Sequence, residues 1–434
     1  MTTTTVQAER VAAEAAGENG GPRGRAGAAG LSWRQTFAAL RHRNFRLFFF
    51  GQLISLTGTW MQNTAEGWLV YQLTGSKLLL GVVAAAGTLP MLIFSMWGGS
   101  LADRHSKRSI MVMTQTGMMG LAFVLTALVA THTIVPWHIV ALAALGGVAM
   151  AFDMPARQAF MVEMTSREDL MNAISLNSSL FNGARILGPA AAGVLMAKAG
   201  MAWCFFLNGV SFLAVIAGLL AMRLPEHVAP AGHSPAWQHG LDGLRYVWKD
   251  KRVRSLLGLF AVVGVFGWSF QVLMPAFARD VLRVNEDAYG TLLSASGAGA
   301  LLGALLVASL GHVWRKRTIL LGGLCVFSAM LLWLARTQSY RVALLTLAVS
   351  GLGMMMFFST VNTMVQTSVS DAMRGRAMGV WALVFGGMMP LGAMEAGCVA
   401  RWFGVPATIG LGAVVCGLAA LAAWIGLRRG EPAS

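Results

Sequence analysis

Ser100–Met111 reads SLADRHSKRSIM, and Ser309–Leu320, 209 positions later, reads SLGHVWRKRTIL. The two stretches align without a gap. Ser, Leu, Lys, Arg and Ile are identical, and Ala/Gly, Ser/Thr and Met/Leu pairs stand beside them. Each follows a long apolar run and precedes another. A basic knot repeated at half the chain length, between apolar spans, marks a duplicated membrane bundle. The expected fold class is an all-α polytopic membrane protein, with twelve transmembrane helices in two pseudo-symmetric six-helix bundles. That is the architecture of a carrier.

Composition agrees. Of 434 residues, 56% are hydrophobic and 12% charged, against about 25% charged in soluble domains. Most of the surface must therefore face something other than water. Apolar runs long enough to cross a hydrocarbon core of about 30 Å are expected near 45–70, 78–102, 110–130, 137–157, 172–197, 201–222, 255–278, 288–310, 318–335, 342–366, 378–399 and 406–427. A net charge of +15 invites a nucleic-acid reading, but its distribution argues against one. With the N-terminus inside, cytoplasmic segments hold 25 Lys/Arg, counting Arg46 and Arg157 at the cytoplasmic ends of their spans, external loops hold 7, and Arg185 lies deep within a span. This asymmetry is the positive-inside signal, and no soluble domain is left to carry nucleic acid. Both termini are expected in the cytoplasm.

The four cysteines, Cys204, Cys325, Cys398 and Cys416, fall in apolar spans, without the spacing of a disulfide framework. The histidines form no metal-ligand pattern. Residues 1–44 read as a disordered N-terminus and an interfacial segment, 45–223 as the first bundle and 224–254 as a linker. The second bundle follows at 255–427, then a tail at 428–434. In the linker, Leu241, Leu244, Val247 and Trp248 oppose Arg245, Lys249 and Arg252 at helical spacing. An interfacial amphipathic helix and a partly ordered linker both fit.

The first knot resembles the cytoplasmic loop motif of the major facilitator superfamily, Gly-x-Leu-x-Asp-Arg-x-Gly-Arg-Lys/Arg. Gly99, Leu101, Asp103, Arg104 and Arg108 match, Lys107 matches in charge, and Ser106 replaces the second Gly. The resemblance implies a cytoplasmic gate in which Asp103 holds the halves together, with Arg104 and Arg108 as its network. His312 takes the place of Asp103 in the second half. Met154-Pro-Ala-Arg157, Asn172-Ala-Ile, Asn182-Gly-Ala-Arg185-Ile-Leu-Gly188-Pro189, Cys204-Phe-Phe-Leu-Asn208 and Arg374-Gly-Arg376 are similar to the enterobactin-exporter-like group, the transmembrane secretion effectors. This similarity runs from about Phe45 to about Gly404, and it implies that the chain sits in the inner membrane of a bacterium. Gly188-Pro189 matches the Gly-Pro core of a motif of exporter branches, and Arg157, Arg374 and Arg376 join the gate residues.

Arg185 is the most expensive residue in the chain. It lies near the middle of the fifth span, where an arginine costs about 2.5–3.5 kcal/mol or more. It needs a partner or a wet cavity. Asp153 is one candidate partner, yet Asp153 and Arg157 are four apart and can pair with each other. A substrate or coupling site and a structural ion pair both remain open for Arg185. In the first span Gln52, Ser55, Thr59, Gln62, Asn63 and Glu66 recur every three or four residues, a polar face that turns inward in a membrane. Ser359, Asn362, Thr363 and Gln366 repeat the pattern in the tenth span, Trp268 and Gln271 stand in the seventh, and Asn182 in the fifth. Glu66 and Glu395 fall toward the external ends of their spans. For each single amide, helix–helix hydrogen bonding is the competing reading.

No GxxxxGK[ST] sequence occurs, so a proton gradient is the expected energy source. GxSxG and HExxH are absent too, which argues against an enzyme. The expectation is a secondary transporter, a proton-coupled exporter of a small siderophore-like or drug-like amphiphile. The alternatives are a lipid or lysophospholipid flippase and a transport-inactive scaffold or receptor. Expected partners are the substrate, protons and the bilayer, with no cofactor, metal or nucleic acid, and the chain as a monomer.

Overall fold

The apolar runs become twelve long helices in a computed structural model, which describes residues 37–166, 168–224, 244–311 and 313–429. They are α1 (Arg43–Thr74), α2 (Lys77–Arg104), α3 (Lys107–Ala130), α4 (Pro136–Met164), α5 (Leu170–Ala199), α6 (Met201–Leu220), α7 (Lys251–Val281), α8 (Glu286–Leu310), α9 (Lys316–Leu334), α10 (Tyr340–Ser368), α11 (Asp371–Phe403) and α12 (Val405–Arg429). Eleven of them are long and apolar enough to cross a membrane by themselves. The remaining one, α1, has the length, 32 residues, but carries the polar face read above. Several helices outrun the expected spans, α11 by seven residues at its start (371 against 378). Residues 1–36 and most of the 224–254 linker lie outside the described residues. Residues 244–249 are helical, with Val247 buried and Leu244 and Trp248 exposed.

Short polar turns stop the helices. Ser76 and Ser106 cap α2 and α3 by accepting hydrogen bonds from the backbone N–H of Leu79 and Ser109. Asp250 caps α7 by accepting from Arg252 and Val253. One residue, Gly200, separates α5 from α6, and one, Gly404, separates α11 from α12. Their φ values of 92° and 83° are open to glycine at little cost.

The helix neighbours repeat with an offset of six. In the first half α2 packs on α4, α1 on α5 and α6, and α3 on α4 and α6. In the second half α8 packs on α10, α7 on α11 and α12, and α9 on α10 and α12. The halves meet along two seams, α5 with α8 and α2 with α11, which the same offset exchanges. At both seams glycines let backbones touch. A Cβ on Gly290 would collide with the Pro189 carbonyl and Gly193, and one on Gly81 with the Ala393 carbonyl and Gly397. Close approach of this kind drives helix association where lipid replaces water.

Candidate functional site

The described cross-half contacts run from midspan to the end that holds the α1–α2 and α7–α8 turns. At midspan is Arg185, the sixteenth residue of the 30-residue α5. Pro189 has no N–H to give the Arg185 carbonyl, and α8 approaches there. A side chain on Gly297 would come within 2.9 Å of the Arg185 carbonyl oxygen. The Ser294 hydroxyl donates 2.8 Å to the Ile186 carbonyl. Gly188 presses against Trp60 and the backbone of Thr57 and Met61. Gly188-Pro189 thus wedges α5 between α1 and the opposite half.

The Arg185 side chain is 8% exposed and makes no hydrogen bond or ion pair among the described residues. Its guanidinium lies 5.9 Å from the ring centre of Trp268 on α7. None of its nitrogens belongs to the sealed, unpartnered polar atoms, which do include Arg157 Nε. The partner expected at Asp153 is not there. Asp153, fully buried, pairs with Arg157 one turn later on α4. Its other oxygen accepts from Thr114 Oγ1 and Gln115 Nε2 of α3, both at 2.9 Å. Arg157 in turn donates 3.0 Å to Gln52 Oε1 of α1. Intrahelical spacing wins because a carboxylate enclosed by three donors has no reason to reach α5. Thr114 and Gln115 were not legible as part of this network, since no periodicity sets them apart in α3.

The polar face of α1 divides in two. At 100° per residue, Gln52, Thr59, Asn63 and Glu66 share one stripe, while Ser55 and Gln62 turn toward α6. There Gln62 accepts 2.7 Å from Asn208 Nδ2, and Gly58 lies against Asn208 and Ser211. This second set is helix–helix glue. Asn63 is exposed and Glu66 half-buried. Glu66 makes no hydrogen bond or ion pair among the described residues.

Other candidates are more self-contained. Asn182 donates to its own helix at the Ser178 carbonyl, 2.8 Å away. Asn362 and Gln366 satisfy each other at 2.7 Å. Gln271 is half-buried on α7, between two π turns at Val263–Gly267 and Phe277–Val281. Glu395 keeps one carboxyl oxygen sealed and unpartnered, on the α11 stripe that carries Met388 and Gly392 against α7.

At the knot end, Asp103 and Arg104 are exposed and hold no ion pair among the described residues, and a Cβ on Gly99 would meet open space. Lys107 and Arg108 are engaged inside their own half. Lys107 binds Glu163 at the end of α4 at 2.6 Å, and Arg108 donates 2.7 Å to the Leu220 carbonyl at the end of α6. His312 lies outside the described residues. Arg374 donates to the Gln366 carbonyl at 3.4 Å and Arg376 contacts Met373 Sδ at 3.6 Å. Nearby, Asp169 accepts from Arg41 and from His42, each at 2.7 Å, tying the segment before α1 to the start of α5. The His42 hydrogen bond, then that of Arg41, holds the Asp169 carboxyl below its ordinary range.

At the opposite end the halves are latched by residues that carried no sequence signal. Tyr71 of α1 donates to Asp280 of α7, with Lys77 Nζ 3.9 Å from the same carboxylate. Trp68 Nε1 donates 3.2 Å to Glu286 of α8, and its ring centre lies 5.1 Å from that of Tyr289. Each sits at a helix end, where charged and aromatic residues are ordinary.

Comparison with known proteins places this geometry. Three curated relatives are similar over most of their length. The multidrug efflux pump Tap of Mycolicibacterium fortuitum is 28% identical, covering 83% of this chain and 90% of Tap. The staphyloferrin A transporter of Staphylococcus aureus is 22% identical (84% and 92%), and the enterobactin exporter EntS of Shigella boydii 26% (81% and 84%). Among solved structures, a point mutant of the nucleoside transporter NupG superposes with a TM-score of 0.73 at 14% identity, covering 88% of this chain and 99% of NupG. A bacterial homologue of the human lysosomal transporter Spinster, inward-facing and occupied, gives 0.70 at 14% identity (89% and 97%). A family model described as transmembrane secretion effector matches residues 34–432. The chain therefore belongs to the transmembrane secretion effector family of the major facilitator superfamily, and it is a multi-pass membrane transport protein, not an enzyme.

Proposed function

We propose that this protein is a proton-coupled exporter of a small amphiphilic molecule from the bacterial cytoplasm, working by rocking its two halves about the midspan site at Arg185. The observation that carries the reading is an unpaired arginine buried at the seam of two pseudo-symmetric bundles. A charge so placed is costly unless a ligand uses it. The kinship with drug and siderophore exporters supports the efflux direction. The positive-inside rule puts the knot end in the cytoplasm. On that orientation the Tyr71–Asp280 latch closes the outer end, while Asp103 and Arg104 stand apart at the cytoplasmic one. Glu66 and Glu395, carboxyls without ion-pair partners, are the candidates to carry the proton, and Asp153 belongs instead to a neutralised network.

The test is transport by the full chain in proteoliposomes with an imposed pH gradient, using labelled siderophore-like and drug-like amphiphiles. Gradient-dependent movement that disappears with Arg185→Ala, while the protein stays folded, is expected. Equal movement with the gradient collapsed contradicts proton coupling. Movement of a labelled lysophospholipid in place of the soluble amphiphiles would favour a flippase.

A further inference from the structure

We propose that the midspan site takes an aromatic molecule carrying an acidic group, with Arg185 holding the acid and Trp268 the ring. The inference rests on the transport reading and narrows its substrate class. Two observations carry it: the sign of the unbalanced charge and a difference in character between the two walls.

The charge comes first. Asp153 is matched by Arg157 and two neutral donors, so it contributes no net attraction for a cation. Arg185 is more than nine-tenths buried, and among the described residues all five of its N–H donors are unspent. A cationic ligand beside it would meet repulsion, and a neutral one would leave the guanidinium unpaired. A carboxylate or similar planar acid can take two of its donors at once. Glu66 and Glu395 form no ion pair with it.

The walls differ. The first half offers Arg185 and, on the α1 stripe, Asn63 and Glu66. The second half offers rings. Trp268 meets Phe358 of α10 edge to face at 5.7 Å, and Phe358 meets Phe260 at 5.1 Å. Phe260 stacks on Trp381 of α11 at 3.8 Å. Phe260 is fully buried, while Trp268, Phe358 and Trp381 are partly open. A buried hub with open rings in front of it is a surface on which a planar arene stacks. The Arg185–Trp268 contact joins the two walls, so acid and ring must lie close together in the ligand.

The full chain in lipid nanodiscs would be equilibrated with radiolabelled 2-naphthoate and competed with 2-naphthamide, 2-naphthylmethylamine and cyclohexanecarboxylate. Wild-type protein is expected to prefer naphthoate to each competitor by about tenfold or more. Arg185→Gln should erase the preference over the amide, and Arg185→Lys should keep part of it. Trp268→Leu should weaken naphthoate about tenfold and leave cyclohexanecarboxylate unchanged. Binding of none of the four, a preference for amide or amine, or a preference that survives Arg185→Gln overturns the acidic-arene class, and each leaves export of another amphiphile standing. Selective naphthoate binding without gradient-driven movement in proteoliposomes supports the pocket and sinks the transport reading instead.

Discussion

The two basic knots do the same mechanical work with different chemistry. In the first half Lys107 ties the start of α3 to the end of α4, and Arg108 caps the end of α6. In the second, Lys316 ties α9 to α10 and Arg317 donates 2.9 Å to the Trp424 carbonyl at the end of α12. The arginine bonds are equivalent, and a cation at a helix C-terminus also meets the negative end of its dipole. The lysine bonds are not. Lys107 reaches a carboxylate, whereas Lys316 reaches the Thr367 hydroxyl at 3.2 Å. The contrast deepens inside the bundles. The polar pair four residues apart on α4 is charged, Asp153–Arg157, while the one on α10, a neutral amide pair Asn362–Gln366, lies about a turn beyond the equivalent positions, which Phe357 and Val361 occupy. Duplication preserved the fastenings and let the electrostatics diverge.

That contrast can be broken most sharply at its buried charge. Arg157→Ala strands Asp153 without its counter-charge and should cost about 3–5 kcal/mol, whereas Asn362→Ala should cost about 1 kcal/mol. Unfolding in detergent micelles measures both, and equal losses would erase the distinction between charged and neutral halves. Next come the seams. Gly81→Leu and Gly290→Leu, made singly, should each cost about 1–3 kcal/mol and slow transport alike. A loss at one seam with none at the other would show that the halves are not interchangeable where they touch.

A smaller effect is expected at Asp169. Its lowered carboxyl value means that the tie to Arg41 and His42 stabilises above the unfolded value of about 3.9 and is lost as pH falls through the folded value. Between roughly pH 5 and 2, Asp169→Asn protein should therefore lose less stability than wild type. Parallel acid limbs would remove Asp169 from the account. Smallest is Glu163→Gln, under about 1 kcal/mol for an ion pair open to water. Thr367→Glu, which would give Lys316 a carboxylate, should gain no more. A loss of several kcal/mol at Glu163 would mean that the first knot carries load its twin does not.

The repeat was legible because it rests on residue type. Lys107 and Lys316, like Arg108 and Arg317, stand 209 apart. Gly81 and Gly290 share that offset, but a glycine pair among 51 glycines has no meaning until the helices cross. Beyond α3 the offset becomes 204, as with Gly200 and Gly404, because α9 is shorter than α3, 19 residues against 24. The cost of Arg185 could be seen from its depth alone, whereas the choice of partner for Asp153 required knowing which helix α3 faces. The aromatic wall and the Tyr71–Asp280 latch were illegible for the same reason. Their members are far apart in the chain, and each is unremarkable where it stands.

The two π turns of α7 bracket Trp268 and Gln271. A π turn holds one residue more than the α-helix around it, the footprint of a single insertion. Removing one residue from 263–267 would let the helix run on as plain α, four residues sweeping the turn that five now sweep, and everything beyond would keep its facing. Trp268 would stay against Arg185, and the aromatic wall would keep its place beside the charge. Each bulge thus absorbs a gained residue without turning the helix, so the facing of half the site is buffered against a change of one codon within these turns.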